Sequence, residues 1–114
     1  MKLRSVPNTL LVAAVVCLMP TAASAAFNED AARATAKRND CSKCHAVDKT
    51  KKGPSYHKVA EKYKGKVDAE EKLFTHLTTG PKVKLEDGSE EDHKIIDTKD
   101  KAEIKNLIDW ILSL

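Results

Sequence analysis

The stretch "CSKCH" at residues 41–45 decides how the rest of this chain is read. It holds two of the three cysteines, two residues apart, and a histidine follows the second directly. Three chemistries use such a pair. A thioredoxin-like redox motif sits behind a strand in a βαβ setting, and nothing before Cys41 alternates like a strand. A structural zinc site takes four ligands; it would have to recruit His57, His76 or His93 beside Cys41, Cys44 and an awkwardly adjacent His45. The third chemistry is covalent haem attachment through C-x-x-C-H. There two thioethers hold the porphyrin edge, and the histidine turns under the ring and donates a nitrogen to iron. A surface disulfide followed by an ordinary histidine is the bland alternative.

The context of the motif favours haem. The first 25 residues read as a cleaved secretory signal: Lys2 and Arg4 form a basic head, Leu10 to Met19 is almost wholly apolar, and Ala23-Ser24-Ala25 is an Ala-x-Ala site. The apolar run is about half the length of a membrane-spanning helix, which needs about 20 residues, so no anchor is expected after cleavage. Val16 stands before Cys17 where a lipoprotein signal would carry a small residue. Cleavage takes the formal charge from +3 to +1 by removing Lys2 and Arg4. It also removes Cys17, Met1 and Met19, so the mature chain, residues 26–114, holds two cysteines and no methionine. Near neutrality, interleaved charges and few aromatics speak against nucleic acid. A domain this small builds a weak core alone, and exported domains of its size rely on disulfides, a metal or a cofactor. A bridge between Cys41 and Cys44 would close too short a loop to stabilise much.

Hydrophobic periodicity predicts helices throughout. Asn28 to Asn39 reads as the first, with Asn28 as N-cap and Glu29 and Asp30 in its first turn. Ser55 to Lys64 carries Tyr56, Val59, Ala60 and Tyr63 on one face. Asp68 to Thr79 buries Leu73, Phe74 and Leu77 and stops at Gly80. Residues 81–95, "PKVKLEDGSEEDHKI", have no period and read as a long loop, which marks it as functional. A last helix, capped by Asp97 or Thr98, runs to Ser113 with Ile104, Leu107, Ile108 and Ile111 as its stripe. No strand is expected.

With CSKCH (41–45), "AVDKTKKGPSYHKVAEKY" (46–63) and "IKNLIDWILSL" (104–114), the chain resembles a small bacterial class I cytochrome c of the c-551/c8 kind, from about Lys37 to Leu114. The resemblance implies an all-α fold, four short helices around one covalently attached haem c, with the first and last helices crossing. It implies thioethers at Cys41 and Cys44, His45 as the proximal iron ligand, and a Pro54 carbonyl that accepts the hydrogen bond of the His45 ring. Tyr56 and Trp110 match aromatic packing positions beside the haem. His76 falls near a polar position that meets a haem propionate, although a plain surface histidine fits there equally.

The chain departs from that family at the far side of the iron, where a methionine is usual. His93 lies in the long loop near the place of that methionine and is the expected distal ligand. Lys82, Lys84 or Lys94 on the iron, or an open sixth site, are the alternatives, and His57 is expected at the surface. Imidazole is a stronger, harder donor than a thioether, so a potential below that of a methionine-ligated relative follows. Glu86, Asp87, Glu90, Glu91 and Asp92 flank His93 and are expected to raise its proton affinity whenever it leaves the iron. Such a labile ligand keeps a second reading open, a haem protein that binds or senses a diatomic gas.

The first reading is a periplasmic electron carrier, probing no substrate and needing no catalytic side chain. No Ser/His/Asp set, paired carboxylates or phosphate-binding Gly loop is evident. Its partners would be redox proteins, acidic if Lys49, Lys51, Lys52, Lys58, Lys62, Lys64 and Lys66 ring the haem edge. A monomer is expected.

Overall fold

The computed structural model describes residues 27–114, so the expected signal segment lies outside the described residues. Four helices follow in order: α1 (Glu29–Arg38), α2 (Tyr56–Tyr63), α3 (Ala69–Thr79) and α4 (Lys101–Ser113). A 3₁₀ turn at Cys41–Lys43 follows α1, and a two-stranded antiparallel hairpin, β1 (Lys82–Lys84) and β2 (Glu90–Asp92), lies between α3 and α4.

The helices start where local chemistry supplies acceptors for their free N–H groups. The Asn28 side chain accepts from the Ala31 backbone, the Ser55 hydroxyl from Lys58, and the Asp100 carboxylate from Ala102 and Glu103. The last of these corrects the sequence reading. Asp97 and Thr98 do not cap α4, because the helix begins only at Lys101: Asp100 is its extended N-cap, and the Thr98 hydroxyl accepts from the Asp100 N–H instead.

The hairpin is the second correction, because residues 81–95 are not an irregular loop. Lys82 faces Asp92 and Lys84 faces Glu90 across the ladder, and Lys82 Nζ lies 3.2 Å from Asp92 Oδ1. The acidic run that carries no hydrophobic period therefore pairs with a basic strand. Gly88, at φ 85°, turns the chain, and the Asp87 carboxylate accepts from the Ser89 N–H.

Helix α4 forms the spine. Ile104, Leu107, Ile108, Trp110 and Ile111 are all buried, and α1, α2 and α3 pack around them. Burying each large aliphatic side chain contributes about 1.5–3 kcal/mol relative to exposure. Helix α1 meets α4 through the small residues Ala32 and Ala36. The crossing is fixed by reciprocal hydrogen bonds: the Asn28 N–H donates to Asn106 Oδ1 at 2.7 Å, and Asn106 Nδ2 donates to the Asn28 carbonyl at 2.9 Å. Glu103 accepts from the Thr35 hydroxyl and pairs with Arg38 at the other end. No helix among the described residues is long and apolar enough to cross a membrane.

Candidate functional site

The helices leave a cavity of about 740 Å³ between them, a size usual for a small-molecule or cofactor site. Its walls are mainly apolar: Leu73 and Leu77 from α3, Leu107, Ile108 and Ile111 from α4, Val59 and Tyr63 from α2. Cys41, Cys44, His45, His76 and His93 all line it.

The proximal side is built by the turn after α1. Asp40 takes a left-handed conformation, φ 56°, that swings the chain off the helix into the cysteine turn. The His45 N–H donates to the Cys41 carbonyl at 2.9 Å, which closes the pentapeptide on itself. Both cysteines are half-buried and unbridged. Burial pushes the Cys41 thiol above its ordinary range. The Gly53 N–H donates to the Cys44 carbonyl at 2.9 Å and brings Pro54 beside the histidine. A carbonyl can only accept, so His45 Nδ1–H donates to the Pro54 oxygen, 2.6 Å away. The tautomer is thereby set and Nε2 keeps its lone pair. Gly53 is required here: a Cβ would stand 2.8 Å from His45 Cε1. Tyr56 stacks on the same ring at 5.4 Å and meets Trp110 edge-on.

The distal side is built by the chain leaving α3 and the hairpin. Gly80 ends α3 in the left-handed conformation, φ 59°. The His93 N–H donates to the Pro81 carbonyl at 2.9 Å, and the Ile96 N–H to the Leu77 carbonyl at 2.9 Å. Asn39 ties this segment to the proximal side. Its amide donates to the Thr35 carbonyl and accepts from the Asp97 N–H, both at 2.9 Å, and the residue is buried. Asp40 adds an exposed ion pair to Lys94.

His93 is half-buried, and its Nδ1–H donates to the Lys94 carbonyl at 2.9 Å. Its ring centroid lies 6.1 Å from that of His45. Two imidazoles bound on opposite sides of one metal, through nitrogens about 2 Å from it, have centroids about 6 Å apart. The donor set therefore fits a haem iron between them. Burial lowers the proton affinity of His93; the Lys94 carbonyl opposes it to a lesser degree, and the neighbouring His45 lowers it slightly further. This reverses the effect expected from the acidic flank, whose residues are exposed, with Asp92 paired to Lys82.

His76 is not the plain surface residue that the sequence equally allowed. It is half-buried, with its ring edge-on to His93 at 4.3 Å, and burial and then His93 depress its proton affinity. His57 is exposed, 2.8 Å from Asp48 and away from the cavity lining. The lysine cluster is exposed throughout, but only Lys58 and Lys62 of it line the cavity. Among the described residues no group of three or more His, Cys, Asp and Glu side chains converges to hold a metal ion, so nothing there gathers the four ligands of a structural zinc site. Two positioning residues escaped the sequence reading. Gly80 read only as a helix stop and Asn39 only as a helix end.

A Cytochrome c family profile matches residues 29–114. The chain belongs to the cytochrome c family. Cytochrome c-552 of Hydrogenobacter thermophilus is 34% identical to it over 79 residues, 69% of this chain and 76% of that protein. The crystal structure of the class 1 cytochrome MtoD from Sideroxydans lithotrophicus ES-1 superposes with a TM-score of 0.74 at 60% identity, covering 77% of this chain and 97% of that one. Cytochrome c552 of Nitrosomonas europaea gives 0.60 at 30% identity, covering 72% and 98%. As a small class I cytochrome c the protein carries one covalent haem c and exchanges electrons with redox partner proteins, which is transfer rather than catalysis. The gas-binding reading is not favoured by this kinship.

Proposed function

We propose that this cytochrome is a periplasmic electron carrier whose haem iron is held by two histidines, His45 and His93. Cys41 and Cys44 form the thioethers, Pro54 orients the proximal ring, and residues 1–25 direct export and are cleaved. The observation that carries this reading is the facing pair of imidazoles. Each is half-buried, each has its Nδ1–H committed to a backbone carbonyl, and their centroids are 6.1 Å apart. Each therefore keeps Nε2 and its lone pair free for a metal.

Bound haem supplies an iron couple that takes up and releases one electron. The protein's part is geometric. Both rings are held by backbone, so oxidation and reduction require little rearrangement of the ligands. The apolar walls keep water from the metal and favour the less charged state, while imidazole donation favours the ferric state. Lys58 and Lys62 stand at the cavity wall where an acidic partner would dock, and their exposure makes that attraction dependent on salt.

The test uses the purified holoprotein. Electron paramagnetic resonance and the near-infrared charge-transfer band of the ferric form should report two imidazoles, and the ferrous form should not bind carbon monoxide at neutral pH. A band characteristic of amine or water ligation, or immediate carbon monoxide binding, would overturn the assignment.

A further inference from the structure

The wall of the haem cavity carries an imidazole that the ligation proposed above does not use. Of the four histidines, three have Nδ1 on a backbone carbonyl: His45 on Pro54, His57 on Leu114 and His93 on Lys94. The fourth, His76, makes no side-chain hydrogen bond among the described residues and is half-buried in the cavity wall, so both of its ring nitrogens are uncommitted. Its neighbour is the distal ring, 4.3 Å away and edge-on.

The two rings sit on one welded unit. His76 lies in the last turn of α3, and its carbonyl accepts from the Gly80 N–H. The residues after Gly80 hold the His93 segment through the Pro81 carbonyl, and Leu77 holds it again through Ile96. Gly80 is packed so closely against the His93 carbonyl that the two segments meet as backbone. Loss of the His93 side chain would therefore leave His76 beside the vacated position, on a helix that has not moved. Its ring would have about 4 Å to move to take the place of the His93 ring, within the reach of a rotamer change.

We propose that His76 is a reserve distal ligand, which occupies the iron whenever His93 leaves it. The exchange trades one nitrogen donor for another and changes neither oxidation state nor proton count. Its consequence is that the distal position does not stand open. A carrier built this way keeps small gases off the iron even when the hairpin segment fluctuates. The proposal rests on the assignment of His93 as the native ligand.

The experiment compares holoprotein of wild type, His93→Ala, His76→Ala and the double variant, each first checked by circular dichroism for native helix content. His93→Ala should stay ferric low-spin and bind carbon monoxide slowly and incompletely when reduced. The double variant should become high-spin and bind it at once. His76→Ala should remain six-coordinate, with altered magnetic anisotropy because the ring packed on His93 is gone. A high-spin His93→Ala indistinguishable from the double variant would overturn the proposal and leave His93 as ligand. A double variant that stays low-spin would also overturn it, with a lysine as the substitute. A high-spin His76→Ala would place His76 on the iron natively and overturn both readings. If His93→Ala does not fold, His93→Gln, which keeps the side-chain volume, is read by the same criteria.

Discussion

Gly80 and His93 touch through their backbones: a Cβ built at position 80 would lie 2.6 Å from the His93 carbonyl oxygen and 2.8 Å from the Ile95 side chain. No side chain fits there, and the left-handed φ of 59° independently favours glycine. Gly80→Ala should cost about 1–2 kcal/mol from the backbone conformation alone, with the clash added. The clash pushes on the residue that carries the distal ring. The variant should therefore show a lower denaturation midpoint together with partial loss of the low-spin ferric spectrum. A loss of stability with an unchanged spectrum would show that position 80 does not position His93.

The matching contact on the proximal side predicts a different readout. A methyl at Gly53 would stand 2.8 Å from His45 Cε1 and 3.3 Å from its Nδ1, so Gly53→Ala displaces the ring and disturbs the short hydrogen bond to the Pro54 carbonyl. Weakening that hydrogen bond lowers the donor strength of the imidazole. Potentiometry should find a higher reduction potential than in the wild type. An equal or lower potential would separate the Pro54 bond from redox tuning.

Asn39 is the buried tie between the two halves of the site. Asn39→Ala leaves the Asp97 N–H without its partner, while the Thr35 carbonyl keeps the Asn39 backbone N–H, and stranding one such group costs about 1–3 kcal/mol. Equilibrium unfolding in denaturant should show a loss in this range. The loss should exceed that from Lys94→Ala, which breaks only an exposed pair to Asp40, because surface pairs contribute about 0–1 kcal/mol.

Tyr56 predicts how stability responds to alkali. Burial raises its pKa above the ordinary 10.0. Cys41 adds to that shift only as a free thiol, a contribution that a thioether would remove. The folded state thus holds the phenol neutral while the unfolded chain ionises, so the unfolded state has fewer protons above pH 10. Stability is complete below the ordinary pKa and falls as pH rises past it, by at most about 1.4 kcal/mol per pH unit. Tyr56→Phe should flatten that limb of a stability–pH profile. Identical slopes in both proteins would show that the phenol does not contribute.

The proposed distal ligand predicts the potential. His93→Met replaces imidazole with a softer thioether, and axial ligands tune haem potentials over about 0.8 V across proteins. The variant should titrate at a higher potential than the wild type. A fall or no change would count against His93 as the native ligand.

Membership of the cytochrome c family was legible in CSKCH because the spacing is itself the chemistry: five consecutive residues can present two sulfurs and a nitrogen without help from the rest of the chain. The helices were legible for a related reason, since the stripe on α4 repeats within the reach of one helical turn. The hairpin was not, because its strands are three residues each and their logic lies across the ladder, where Lys82 meets Asp92 and Lys84 meets Glu90. The cap of α4 was misplaced because three neighbouring residues, Asp97, Thr98 and Asp100, can all cap, and only the fold shows the helix starting after Asp100.

By itself, then, the sequence determined the attachment motif, the helical periodicity and the absence of methionine from residues 26–114. Only the tertiary structure decided that His93 faces His45, that His76 stands beside it, and that burial rather than the acidic flank governs their protonation. The division has a physical cause. Covalent spacing and helical period act between near neighbours, whereas desolvation and ring-to-ring distance exist only once α3, the hairpin and the cysteine turn have closed around a common cavity.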